Sequence, residues 1–280
     1  MSLFNWLKEL FSGKSIKGSN STSTKTITPQ PKERNITPSH HARHKEYNAG
    51  SAKRLSGSIY VLAVFAGEGH WSRAGKEKLL NELYKAEKWI RKEAARYGKS
   101  VSFKHGTYGL DKTINVHIAP GHGTGNEDCR VAHKVLGAVG YKSIGQFYEW
   151  FRKNEQCDNC LVIVFAQGRG RSYAVPYTPE YNADYFTESC IIYEAYEDGT
   201  PQIAFGMAHE MLHCFGAEDL YETFEKPQIV EQEAKKRYGN DVMHRFDYEL
   251  DNLKIDEFTA WCVGLTDTWK DEFNIFLKKK

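Results

Sequence analysis

The stretch HEMLHCFGAED, residues 209–219, constrains this chain more than any other. On a helix, positions i and i+4 share one face a single turn apart, so His209 and His213 can aim their imidazoles at one ion. Glu210 sits about 100° further round the helix, too far to ligate with them but well placed beside a water held at that ion. Gly216 can take the left-handed conformation that stops a helix sharply, and the returning chain brings Asp219 up as a third ligand. Three protein ligands leave one position open, the arrangement of a catalytic rather than a structural zinc site. Phe205, Ala208, Leu212 and Phe215 add an apolar stripe at helical spacing, so the helix is expected to be buried with its histidine face lining a cleft. A bare H-E-x-x-H arises by accident in roughly a few per cent of chains of this composition; requiring the Gly and the Asp as well lowers that to well under about one in a thousand.

The pattern H-E-x-x-H-x-x-G-x-x-D resembles the metzincin zinc endopeptidases, in the variant with aspartate as third ligand found in the snapalysin-type enzymes. Metzincins carry a Met-turn beneath the metal, and GNDVMH (239–244) fits it with Met243 as the methionine. The resemblance implies an α+β protease domain with a twisted mixed sheet, the active-site helix, the Met-turn and a long C-terminal helix. IDEFTAWCVGLTDTWKDEFNIF suits that last helix, with Phe258, Trp261, Cys262, Leu265, Trp269 and Phe276 on one face. Motif-level matching is confined to 209–219 and 239–244. Some relatives place a tyrosine ligand two residues after the methionine; here that position is Arg245, which removes support for a tyrosine switch. The resemblance also implies the chemistry: one Zn²⁺ on His209, His213 and Asp219, Glu210 as general base toward the zinc-bound water and then acid toward the leaving amine, and Met243 packed below without ligating. Asp219 brings charge that a third histidine would lack, which should make the ion a weaker Lewis acid. His244, Arg245 and Tyr248 lie nearby in sequence as candidate oxyanion donors.

The charge is unevenly placed. The net value of +2 divides into a basic amino-terminal part, with 10 Lys/Arg against 3 acids in residues 1–56, and a mildly acidic remainder with 28 against 33. In MSLFNWLKELF, residues Leu3, Phe4, Leu7, Leu10 and Phe11 fall on one face, predicting an amphipathic helix over 1–12. Residues 13–56 are rich in Ser, Thr, Lys, Pro and Gly and read as a flexible basic linker, with the protease domain spanning 57–280. An apolar foot with a polybasic spacer suits an anionic membrane surface; a groove on a partner protein suits the same helix. The tail contains no cysteine or aspartate to block a metal, so it is not expected to act as an inhibitory plug. No apolar run reaches membrane-spanning length and no signal peptide is evident, so a cytoplasmic protein, peripheral to a membrane at most, is expected. Six scattered cysteines then read as reduced thiols, and nothing predicts specific nucleic-acid binding.

From Gly57 onward the periodicities predict a buried strand in SIYVLAVFAG, an amphipathic helix over 73–97, strands in SVSFKHGTY and INVHIAP, a helix in SIGQFYEWFRKN capped by Ser143, a central strand in CLVIVFAQG, a weaker one at 171–177 and another in SCIIYEAYED. Pro176 marks 171–177 as an edge strand. In metzincins the edge strand above the cleft pairs with extended substrate, making Ser172, Tyr173, Ala174 and Val175 the candidate substrate-binding residues. Against that stands a plain solvent-facing edge.

Other motifs carry less. CDNC (157–160) lacks a second pair and leads into a strand, which favours structural thiols. Cys214 points away from the ligating face. PGHGTGNED (120–128) lacks the Lys-Ser/Thr of a phosphate loop. HHARH (40–44) lies in the linker and can bind metal only adventitiously. Three function classes follow: a zinc endopeptidase acting on protein or peptide, a zinc amidase acting on a non-protein or small peptide substrate, and a metal-stabilised binding domain without activity. Glu210, which no ligand role requires, argues against the third.

Overall fold

The strand GSIYVLAVFA is almost uninterruptedly apolar, the mark of a strand covered on both faces. It forms β1 (Gly57–Ala66), with Ile59, Val61, Ala63 and Phe65 entering one core and Tyr60, Leu62, Val64 and Ala66 the other. The computed structural model describes residues 49–119, 130–177 and 186–278. After β1 the chain crosses over through α1 (Arg73–Arg96), opened by Ser72, whose hydroxyl accepts the Gly75 amide, and returns as β2 (Val101–Tyr108). The helices α2 (Val131–Ala138) and α3 (Ile144–Asn154) precede β3 (Asn159–Arg169), and Ser143 caps α3 as its spacing predicts. A short edge strand, β4 (Tyr173–Val175), is followed by β5 (Ser189–Ala195). The sheet order is β2-β1-β3-β5-β4; all neighbours are parallel except β4, which runs antiparallel to β5. The fold is therefore mixed α+β around a five-stranded mixed sheet.

The two faces of the sheet are covered differently. On one side α2 and α3 pack with Val135, Leu136, Phe147 and Phe151 fully or nearly fully buried. On the other lie α1 and α4 (Ala204–Cys214), which contact each other, and α4 also touches β4 and β5. That contact places the histidine helix beside the edge strand. Beyond it come α5 (Gln228–Arg237), a 3-10 turn (Leu250–Asn252), α6 (Glu257–Cys262) and a second 3-10 turn (Asp271–Ile275). No helix among the described residues is long and apolar enough to cross a membrane.

Three expectations are corrected. The long C-terminal helix is absent: α6 has six residues and stops where Gly264 takes φ 77°, with the Leu265 amide bonded back to the Ala260 carbonyl at 2.8 Å. This is a glycine-terminated helix end of the Schellman type. Phe258, Trp261, Cys262, Leu265, Phe273 and Phe276 are all buried regardless, because the chain folds back on itself instead of continuing the helix. Residues 114–119, the described part of INVHIAP, form no strand; Ile114 makes one bridge to Ala66, and Val116 and Ile118 merely pack against the core. The folded body also begins before Gly57. Ala52 and Leu55 are fully buried, Leu55 N–H donates to the Val263 carbonyl at 2.9 Å, and the buried Glu188 carboxylate accepts the amides of Ser51 and Ala52. The amphipathic helix 1–12, the linker up to residue 48, HHARH and the loop 120–128 lie outside the described residues.

Candidate metal centre

The helix α4 ends as its glycine demands. Gly216 has φ 94°, its amide donates to His213 O, and the Ala217 amide reaches back to Leu212 O, so the chain reverses and returns Asp219 to the histidine face. His209 Nε2 and His213 Nε2 are 3.2 Å apart, and Asp219 Oδ1 lies 3.4 Å from the first and 3.2 Å from the second. Among the described residues this is the one group of three or more His, Cys, Asp or Glu side chains whose ligand atoms converge.

Both imidazoles are held by their other nitrogen. His209 Nδ1 lies 3.2 Å from the Val242 carbonyl oxygen and His213 Nδ1 2.8 Å from that of Ala217. A carbonyl only accepts, so each Nδ1 carries the hydrogen, and the Nε2 atoms face the shared point as ligands do. Asp219 Oδ1 is buried and takes no well-formed hydrogen bond. Three electron-rich atoms this close need positive charge among them. Tetrahedral zinc with bonds of about 2.0–2.2 Å sets its ligand atoms about 3.3–3.5 Å apart, and the distances here match that within about 0.2 Å. The donor set fits zinc. Without a metal a proton supplies the charge: burial works to lower the His213 pKa, but the Asp219 carboxylate overrides it and raises it to about 9. Burial alone would raise Asp219; the two histidines hold it well below the usual carboxylate range.

Glu210 stands outside the donor group, half-buried, and its charge reaches His213 and the phenols of Tyr196 and Tyr221. The segment 241–243 runs against the centre. Val242 O receives His209, while the fully buried Met243 accepts the Leu220 amide, next to Asp219, at 3.0 Å. Buried Asp241 accepts the amides of Met243 and Asp256, each at 2.7 Å; burial nonetheless lifts its pKa to about 7. The turn therefore orients the imidazole of His209 through its backbone.

The remaining candidates are placed as follows. β4 is the terminal strand of the sheet and touches α4. Ser172, however, turns its hydroxyl inward, accepting from the Tyr193 amide and Gln202 Nε2, and Tyr173 and Val175 are buried; only Ala174 is half-exposed. Any contribution of this strand to binding is thus through main chain. Arg245 is engaged with Asn240 and Asp247, and Tyr248 is exposed. Cys160 is buried in β3, Cys157 is half-buried, and Cys214 packs at 3.4 Å from Cys190 in the core; none of them joins a converging ligand group.

Aromatic residues around the centre escaped the sequence reading. The Tyr221 ring lies 6.3 Å from His209 at 25°, and its phenol is pushed up by burial and by the charges of Asp219 and Glu210. Phe205, one turn before His209, was read as core but is half-exposed, with its ring 5.7 Å from the imidazole. The available signals were weak: Tyr221 stands two residues after the third ligand, and Phe205 at i−4 from the first.

No protein-family model matches this chain, and no curated protein of established function matches it.

Proposed function

We propose that the chain is a metzincin-like zinc endopeptidase. The reading rests above all on one observation: His209, His213 and Asp219 converge at metal-ligand spacing while Glu210, on the same helix, stays outside the group. The antiparallel edge strand beside the histidine helix and the turn 241–243 beneath it support the same reading. His209, His213 and Asp219 would hold the ion, with Val242 O and Ala217 O fixing the two imidazoles. Zinc bound there supplies a Lewis acid with an open position, able to polarise a carbonyl and make water more acidic.

Everything else falls to the chain. Glu210 accepts the proton of the attacking water at its carboxylate and delivers it to the leaving amine nitrogen. Tyr221, its hydroxyl kept protonated by burial and then by the carboxylates near it, can donate a hydrogen bond to oxygen charge developing at the scissile carbonyl. The backbone of 172–175 can receive an extended peptide as an added strand, which demands little of its sequence. Peptide rather than a small amide is favoured for that reason.

The test is mapping of new peptide ends in cells expressing the wild type against Glu210→Gln. New ends that depend on Glu210 support the endopeptidase reading; identical peptide-end profiles from the two would overturn it. A Glu210→Ala chain should retain metal while losing hydrolysis, since general acid–base groups typically contribute about 10²–10⁴-fold.

A further inference from the structure

Outside the metal centre, the ends of two helices meet around an open cleft. α1 ends in Arg96 with Tyr97 as its cap, α5 in Arg237 with Tyr238 as its cap, and Asp256 and Glu257 close the space from the start of α6. These six residues line a volume of about 460 Å³. That is the size of a small-molecule site and far more than one water needs. The cleft is braced from behind. Tyr97 Oη donates to the Ile255 carbonyl and the Glu93 carboxylate accepts the Ile255 amide, each at 2.8 Å, and the Asp256 amide donates to Asp241 at 2.7 Å. A pocket so pinned needs little reordering to receive a ligand.

Two polar atoms of the lining are left over. Tyr238 Oη and Asp256 Oδ2 are buried and make no hydrogen bond among the described residues. The residues that carry them are 6% and 7% exposed. Asp256 stands at the N-cap position of α6, yet its side chain caps nothing; its other oxygen meets Lys254 Nζ at 3.0 Å. A buried acceptor without a donor is costly, and native proteins seldom leave one without a use. The surrounding charges say which donor is missing. Arg96 is paired with Glu93, Arg237 with Glu233 and Glu272, and Glu257 with Lys270. With Lys254 and Asp256 included, four cations stand against five carboxylates. Both long helices also turn their electronegative C-terminal ends toward the cleft. The Tyr238 phenol is pushed up by burial and then by Glu272, Glu257 and Asp256, so those carboxylates reach its hydroxyl. The balance calls for a cation. Among the described residues Asp256 and Glu257 join no converging ligand group, and two tyrosine rings suit an organic cation better than a hydrated metal ion.

We infer that this cleft binds a small primary amine with an apolar body, its ammonium donating to Asp256 Oδ2 and Tyr238 Oη and its body lying against the rings of Tyr97 and Tyr238. The site uses no zinc and does not depend on the endopeptidase reading. Its lining adjoins the anchor of the metal-centre turn through main chain alone: the Asp241 amide donates to the Tyr238 carbonyl at 2.8 Å, and the Asp241 carboxylate accepts the Asp256 amide. The two side-chain groups assigned to the ammonium can therefore be altered without removing that anchor. A charge-assisted hydrogen bond to the carboxylate favours the amine over the isosteric alcohol by about tenfold or more.

The experiment titrates benzylamine, benzyl alcohol and benzoate, alike in shape and different in charge, onto the full-length protein at neutral pH. Binding is read from the NMR ring signals of Tyr97 and Tyr238. Benzylamine should shift both saturably and bind about tenfold or more tightly than the alcohol, with benzoate weaker still. Asp256→Asn should weaken the amine by about tenfold or more, and Tyr238→Phe by about threefold. Should Asp256→Asn fail to fold, Tyr238→Phe decides alone, because it removes only a hydroxyl that bonds nothing else. The inference is overturned by the absence of a saturable shift, or by shifts confined to rings at the metal centre such as Tyr221. Equal affinity for amine and alcohol, benzoate binding as tight as the amine, or unchanged amine affinity in either folded variant overturns it as well.

Discussion

The sheet and the segment after Gly216 hold their chain by opposite means. In the sheet, β1 and β3 run through a continuous ladder with apolar side chains alternating into two cores, and polar side chains do little of the positioning. After Gly216 the helices are short, two of the elements are 3-10 turns, and the backbone is pinned by isolated side chains. Asp241 holds the amides of Met243 and Asp256, Glu93 that of Ile255, and Lys226 caps the Phe276 carbonyl while pairing with Glu218. The candidate metal centre straddles the boundary, with His209 and His213 on α4, which packs against the sheet, and Asp219 in the pinned part. A regular scaffold sets position; point anchors set orientation.

Removing an anchor separates the two regions most strongly. Asp241→Ala leaves two buried amides without an acceptor, at about 1–3 kcal/mol each, so unfolding free energy should fall by about 2–6 kcal/mol. It should also weaken zinc binding, because the turn it holds carries the carbonyl that orients His209. Denaturant unfolding and a competitive chelator titration measure the two; unchanged zinc affinity in a folded Asp241→Ala chain would show that the turn does not orient the ligand. The matched change in the sheet is Leu161→Ala, in the fully buried run of β3. It should cost about 2–5 kcal/mol by cavity formation yet leave zinc affinity alone.

Each region also contains a buried carboxylate that titrates near neutrality. Burial raises Glu188, at the junction of Ser51 and Ala52 with the sheet, from 4.5 to about 7, and Asp241 from 3.8 to about 7. A group whose folded pKa lies above its unfolded value gives stability that is complete below the unfolded pKa and is lost as pH rises through the folded one. Stability of the metal-free protein should therefore decline from about pH 4 to about pH 7, from these two groups together. Glu188→Gln should flatten part of that slope in chemical unfolding followed across pH. An unchanged slope would assign the whole effect elsewhere.

The smallest effect is expected at the methionine. Met243→Leu is close to volume-conserving, and Met243 is fully buried. It should cost at most about 1.5 kcal/mol and leave zinc stoichiometry unchanged. Loss of the ion in that variant would mean that the side chain itself supports the centre.

The same division explains what could be read in advance. β1, α1, β2, α3, β3, β5 and the ligand helix announce themselves through apolar period and caps, as at Ser143. The pattern HExxHxxGxxD encodes its own reversal in Gly216, so the convergence of His209, His213 and Asp219 is legible in the sequence. The expected C-terminal helix does not form although Phe258, Trp261, Cys262, Leu265, Trp269 and Phe276 keep a helical spacing across the break at Gly264. Periodicity reports burial, and a chain that doubles back buries the same residues. Residues 49–56 have the composition of a linker, yet the buried side chains of Ala52 and Leu55 and the Glu188 carboxylate, 136 positions from Ala52, tie them down. The ring contact of Phe205 with Phe246 has only a weak local signature, since the two meet only once the chain is folded.

In the proposed site His209, His213 and Asp219 hold one zinc ion, and the base, Glu210, stands apart from it. Calorimetric zinc titration of the purified protein, with the ion content checked by mass spectrometry, tests it directly. The wild type and Glu210→Gln should each bind one ion per chain with similar affinity. Because the proton that Asp219 stabilises on His213 must leave, affinity should rise as pH approaches about 9. His209→Ala, His213→Ala and Asp219→Ala should each lose the ion. Zinc bound at wild-type affinity by the Asp219→Ala chain, or no zinc bound by the wild type, would contradict the account.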